Sequence, residues 1–323
     1  MSTPATVTPA ESPEAQLAWE RRFRGRAAIS SILAGVLLLG APFILLGAVN
    51  KNFPTVGLIE AIGPALRGQA QTGQDPRTPG ILHLHDHASG LIIFAVLTLI
   101  GLLALTGALV FLFRAVRARR PELQKALIAL ILIGPVLVGV VTLGTEILTA
   151  SRTAAFASGT DHSHAAVEHV LDARRSVVLG TLGALGQFAT AVGIVIVSLN
   201  AMRVGLLTRF MGVLGMIGGV LFILPLIPVP IVLAYWLGAL GMLFLGRWPN
   251  GVPPAWATGQ AQPWPTQQEM RERSTADRNR REARAIKAKP AASEETQVAD
   301  ATDVAEPVRP THPRSTKRKR KRR

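Results

Sequence analysis

Six of the seven histidines in this 323-residue chain fall in two short segments. His83, His85 and His87 occupy HLHDH, and His162, His164 and His169 occupy DHSHAAVEH; only His312 lies elsewhere. Imidazole and carboxylate groups together form a donor set that suits zinc, copper(II), nickel or iron. An extended HLHDH would put His83, His85 and His87 on one face, whereas a helical one aligns His83 with His87. Asp161 is placed to cap a short helix running to Arg174. On that helix His164, Glu168 and Asp172 form one row. The candidate metal ligands are therefore His83, His85, His87, His162, His164, Glu168 and His169, with zinc or copper(II) as the candidate ion. No established zinc signature is matched: HExxH is absent, and HAAVEH is one residue too long for H-x-x-E-H. Imidazoles also change charge near neutral pH, so proton sensing stands beside metal binding as a reading. The chain has no cysteine, which excludes thiolate ligands, disulfides and thiol nucleophiles.

The elements that must position these residues are apolar. Nearly half the chain is hydrophobic, yet it holds one Tyr, and its charge sits in a few runs. Several apolar runs reach about 20 residues, the length needed to cross a bilayer core. The fold class expected is all-α, a polytopic transmembrane helix bundle of about six spans with disordered termini. The spans fall at about 27–49, 90–113, 126–149, 176–200, 206–224 and 231–246. The last two are separated by PLIPVP, where three prolines in six residues enforce a reversal. A re-entrant hairpin is the alternative for 206–246. Residues 1–26 are expected to be a disordered cytoplasmic segment, and 247–323 a basic, largely disordered cytoplasmic tail.

Lys/Arg asymmetry sets the orientation. Arg21, Arg22, Arg24 and Arg26 precede the first span, Arg114 to Lys125 follow the second, and Arg203 and Arg209 follow the fourth. All lie on one side of a six-span chain, which places both termini in the cytoplasm and both histidine loops outside. The second and third spans share a short link and should pack as an antiparallel hairpin. Its outer end brings His87, Glu146 and the loop carrying Asp161 to Asp172 to one mouth.

Glu146 and Gln187 are the polar groups within or near spans. Either could line a path for an ion, although Gln187 more simply bonds between helices. Gly180, Gly183, Gly186, Gly212, Gly215, Gly218 and Gly219 lie inside apolar runs, where small residues let helices approach closely. In the tail, Trp248, Trp256 and Trp264 alternate with prolines and suit the headgroup region of a membrane. From Arg247 onward 18 Lys+Arg face 9 Asp+Glu, giving +9 of the formal +15. The closing KRKRKRR lacks interleaved aromatics, which disfavours nucleic acid and favours anionic lipid headgroups.

The segment from RVGLLTRFMGVLG through GRWPNGVPPAWATGQAQPWP, mainly residues 203–265, resembles multi-pass integral membrane proteins of GC-rich bacteria. The resemblance implies a bacterial plasma membrane and carries no catalytic residues. The leading expectation is a non-enzymatic membrane protein that binds a divalent metal or senses pH at its outer mouth. A transporter or channel for a small solute or ion is the alternative. A metal-dependent membrane hydrolase, with Glu168 as base, is the third.

Overall fold

A computed structural model describes residues 13–54, 67, 75–174, 177–224, 230–249, 251–264, 271–272 and 274–283. In chain order the helices are α1 Pro13–Ile44, passing into a π-helical turn at Leu45–Val49, α2 Thr78–Asp86, α3 Ala88–Arg119 and α4 Leu127–Ser158. They continue with α5 His164–Arg174, α6 Val177–Arg203, α7 Arg209–Ile223, α8 Ile231–Phe244 and the single turn α9 Ala255–Thr258. No strand occurs among the described residues. Among the described residues four helices are long and apolar enough to cross a membrane: Pro13–Gly47, α3, α4 and α6. The protein is an all-α membrane-spanning bundle.

Six helices form a closed ring. Each packs on the next in the order α1, α3, α4, α6, α7, α8, and α8 returns to α1. Helices α3 and α6 also touch across the middle. Leu105, Leu109, Leu112, Ile194, Val197 and Trp236 are buried in the resulting core. Glycine is what lets neighbouring backbones close up. A Cβ on Gly134 of α4 would lie 2.7 Å from the backbone nitrogen of Thr190 on α6, and one on Gly186 would lie 3.1 Å from the Gly134 carbonyl oxygen. Gly215 and Gly219 are equally crowded, by Ser198 and Trp236 and by Val195 and Ala191. Gly180, in contrast, faces open space, so the every-third-glycine pattern is only partly a packing pattern. Hydroxyl and amide groups add fixed links between helices. Ser30 donates to the Ala104 carbonyl, Ser31 to that of Leu237, and Gln187 to that of Phe222 at 2.7 Å. Gln187 is therefore interhelical bonding, as polar groups in spans commonly are.

Helices α7 and α8 have 15 and 14 residues, roughly 22 Å each at about 1.5 Å per residue, short of a core of about 30 Å. Their depth follows from their partners. Phe222 bonds Gln187, ten residues along α6 from Val177, which is roughly 15 Å below that end. Ala234 lies against Gly35 of α1, well below Val49. The described ends of the pair thus stop short of the histidine-bearing end. The PLIPVP turn itself falls at 225–230, of which only Pro230 is described.

Three boundaries differ from expectation. Helix α1 begins at Pro13, not near residue 27, because Gln16, Glu20 and Trp19 find partners at the foot of the bundle. Helices α3, α4 and α6 run past the apolar stretches into polar sequence. The bundle unit extends to Trp264, and a second unit comprises Pro265–Arg323. Within that second unit residues 274–283 are helical, and Arg278 pairs with Glu282 at 3.1 Å.

The segment after α8 is not a surface strip. Trp256 is buried and donates its indole N–H to the Leu206 carbonyl at 2.8 Å; Trp264 donates to that of Leu207 at 2.8 Å. Trp248 packs against the same core. Trp256 is thus part of the core and does not lie along headgroups as expected, and the indoles of Trp256 and Trp264 satisfy carbonyls left free by the α6–α7 turn. Gly205 makes this possible. Its φ is +76°, and a Cβ there would lie 2.0 Å from the Gln262 carbonyl oxygen. Gln262 in turn donates its backbone N–H to Val204.

Candidate functional site

The two histidine segments do meet, at the end of the bundle where α2, α3, α4 and α5 converge. Apolar contacts bring them together: Ile81 of α2 buries itself with Phe156 of α4 and with Val167 and Val170 of α5. The backbone N–H of Asp75 donates to the carbonyl of His162 at 3.2 Å.

HLHDH is helical. His83 and His87 stack at 4.1 Å between ring centroids, the arrangement that an i, i+4 spacing produces. Their ring nitrogens have backbone partners. His83 Nε2 lies 2.7 Å from the Val49 carbonyl oxygen, and His87 Nδ1 lies 2.9 Å from that of His83. The edge of Phe53 packs on His83. These two imidazoles tie the end of α1 to the α2–α3 joint. His85 and His162 each bury one ring nitrogen without a hydrogen-bond partner, Nδ1 and Nε2 respectively. His162 packs on Phe156.

The second segment forms α5, and its cap differs in detail from expectation. Asp161 accepts from the N–H of Ser163 at 2.9 Å, and Ser163 accepts from the N–H of Ala166 at 3.4 Å. Ser163 therefore stands at the helix start and Asp161 braces it. That N–H bond, with the Ser163 side chain, holds the Asp161 carboxyl below the usual carboxylate range. His169 is exposed; its carbonyl accepts from Arg152, and it lines an open groove of about 350 Å³ with Arg152, Phe156 and Asp161. The side chain of Asp172 lies outside the described residues.

His164 and Glu168 do share a face, and what they face is Arg77. Arg77 Nη1 donates to Glu168 at 2.7 Å, and Arg77 Nη2 lies 3.1 Å from His164 Nδ1. The same guanidinium donates from Nε and Nη2 to the two oxygens of Asp75, at 3.0 and 2.9 Å. His164 Nδ1 lies 2.7 Å from Asp75 Oδ2. The Asp75 side chain is 1% exposed. The Arg77 hydrogen bonds hold its carboxyl well below the usual range; burial opposes this, and the His164 bond assists. Arg77 is correspondingly raised, chiefly by Asp75. The outcome is a four-residue clasp that fastens the turn before α2 onto α5.

Sequence reasoning missed Asp75 and Arg77. The signal was DPR just ahead of TPG, an Asp-Pro turn leading into a helix start. Among the described residues, no three His, Asp or Glu side chains are arranged to hold a metal ion. The seven candidate ligands are distributed among backbone bonds, aromatic packing and the clasp. Glu168 is engaged by Arg77 and is not set as a base facing an open position. Glu146 is buried near the same end of α4, at 8% exposure. No family model matches the chain, and no curated protein or solved structure matches it. Fold and geometry together define a membrane-spanning helical bundle with a charged clasp closing one end.

Proposed function

We propose that the protein sits in a bacterial plasma membrane with both termini in the cytoplasm, and that its outward end responds to pH through this clasp. The reading rests on one observation: an imidazole, that of His164, bonds a buried carboxylate that a guanidinium also holds. The orientation is supported by the basic residues gathered at the opposite end. The likeness of residues 203–265 to membrane proteins of GC-rich bacteria supports the host membrane.

The chemistry has a definite sign. Asp75 has a depressed carboxyl, so its contribution is complete above the ordinary carboxylate range and is lost only as pH falls below about 4. Between about pH 5 and 8 an imidazole is the ordinary side chain that changes charge. With His164 neutral, Asp75 and Glu168 against Arg77 leave a net −1. A proton on His164 brings the set to zero. It also fixes Nδ1 as a donor to Asp75, where the neutral ring can instead accept from Arg77. Mild acid therefore tightens the joint between the Asp75–Arg77 turn and α5, and strong acid releases it.

Because the chain has no native cysteine, spin labels on Asp86→Cys and Ala165→Cys report the gap between α2 and α5. The distance distribution is expected to narrow between about pH 8 and about pH 5, and to broaden below about pH 4. His164→Gln should remove the first change and Asp75→Asn the second. An unchanged distribution from pH 8 to 5 in the parent chain would sink the proposal.

A further inference from the structure

A second feature, at the basic end and independent of the clasp, points to a ligand. Helices α1 and α3 leave a groove of about 220 Å³ between them, lined by Trp19, Phe23, Arg26, Gly107, Phe111 and Arg114 among others. Its two ends differ in chemistry. Arg26 immediately precedes the apolar run of α1, which begins at Ala27, and Arg114 immediately follows that of α3, which ends at Phe113. The two guanidiniums therefore mark one membrane level, the boundary between headgroups and acyl chains. Below them the floor is made by Ala27, Val110 and Phe111, with Ser30 against Gly107, its hydroxyl donating to the Ala104 carbonyl.

Both arginines are exposed, and each lies over an aromatic ring. Arg114 sits 5.5 Å from the Trp19 ring centroid and Arg26 5.6 Å from that of Phe23. Trp19 is itself stacked on Phe111. A guanidinium placed over a ring keeps its N–H donors in its own plane, available to a phosphate. Glu20, the carboxylate next to Trp19 in the chain, is used elsewhere: it is committed to Arg119 and Gln16. A fixed pair of interfacial cations above an apolar, half-open channel matches a molecule with an anionic head and an acyl chain.

We propose that the α1–α3 groove binds one anionic phospholipid, its phosphate on Arg26 and Arg114 and an acyl chain along Ala27, Val110 and Phe111. Electrostatic attraction to the whole basic end would favour anionic lipid without using the groove, so the test separates the two. The full-length protein is placed in nanodiscs of phosphatidylcholine in which a titrated fraction is brominated phosphatidylglycerol or brominated phosphatidylcholine. Bromine quenches tryptophan on contact, and Trp19→Phe identifies the part of the signal that comes from the groove.

Quenching of Trp19 is expected to favour the anionic lipid by roughly thirty-fold in association constant, the factor that two interfacial basic residues provide. Arg26→Gln with Arg114→Gln should abolish the preference. Arg203→Gln with Arg247→Gln removes the same charge from exposed positions outside the groove and should leave it intact. Equal quenching by the two lipids in the parent chain overturns the proposal, and that comparison needs no variant to fold. So does loss of the preference in the control pair, or its displacement by inorganic phosphate alone.

Discussion

At the basic end of the bundle Arg119 and Glu20 form a buried ion pair, with side chains 0% and 3% exposed. They join α3 to α1. Arg119 donates to both Glu20 oxygens, to the Ala115 carbonyl and to the Ala255 carbonyl of α9, and it lies over the Trp256 ring. Gln16 donates to Glu20 as well. A buried pair offsets its own desolvation only when its remaining hydrogen-bonding capacity is used; here both Arg119 Nη groups and both Glu20 oxygens are engaged, and the buried Nε–H alone has no acceptor. Removing one partner leaves the other charged and unpaired. Glu20→Leu alone, or Arg119→Met alone, is therefore expected to lower unfolding free energy in detergent by about 3–5 kcal/mol. The double variant should lose less than either single one. A double variant that loses the sum of the two would show that the residues act separately. Neither role was legible in the sequence. Arg119 sits among four other basic residues of RAVRARRPELQK, and nothing local distinguishes the one that turns inward. Asp75 and Arg77 were hidden likewise, since their partners His164 and Glu168 lie about ninety positions away.

At the scale of elements, the long helices were legible and the short pair was not. An apolar run of about 20 residues has one stable answer in a bilayer, because every backbone polar group must be satisfied within it. Runs of 14 or 15 residues can be short spans or a hairpin that enters and leaves on one side, and composition does not separate these. Position does. Gln187 meets Phe222, and Gly35 meets Ala234, each well below the histidine end. A single cysteine at Leu224 or Ile231 is therefore expected to resist a membrane-impermeant maleimide applied from the histidine side. One at Ala165 should react fully. Equal labelling of Leu224 and Ala165 would mean that the pair crosses. The glycines carry a similar lesson. Gly186 and Gly180 occur in one repeating pattern, yet one touches a neighbouring backbone and the other touches nothing within 4 Å. Spacing identifies a helix face; only the neighbouring helix decides which part of that face is used.

For the molecule as a whole, the ring is closed by α8 on α1, and the chain that follows fastens the closure. Trp256 reaches the α6–α7 turn, Ala255 reaches Arg119, and Arg24 of α1 donates to Leu243 at 3.1 Å. Gly259 turns with φ +71° against Leu17 of α1. The protein shortened after Trp264 is expected to keep its melting behaviour in detergent. Shortening after Gly246 removes a buried Trp and uncovers Arg119 and the Leu206 carbonyl. It should lower stability by at least about 3 kcal/mol, the usual loss for a large buried aromatic. If both truncations melt like the full chain, the segment 247–264 is not part of the bundle's support.

The sequence by itself determined the class of protein, the order of its long helices and the segregation of basic residues from histidines. These follow from run length and local composition, which a bilayer reads one segment at a time. It also determined that the two histidine segments converge, since a short link forces α3 and α4 to be antiparallel neighbours. What those histidines do was decided by the tertiary structure. His83 and His87 turned to backbone carbonyls, His164 to a carboxylate, and Glu168 to a guanidinium. The choice among metal, carbonyl and ion-pair partners depends on the register between helices that are distant in sequence. That register is set by close packing at positions such as Gly134 and Gly186, where a single Cβ would displace a whole helix.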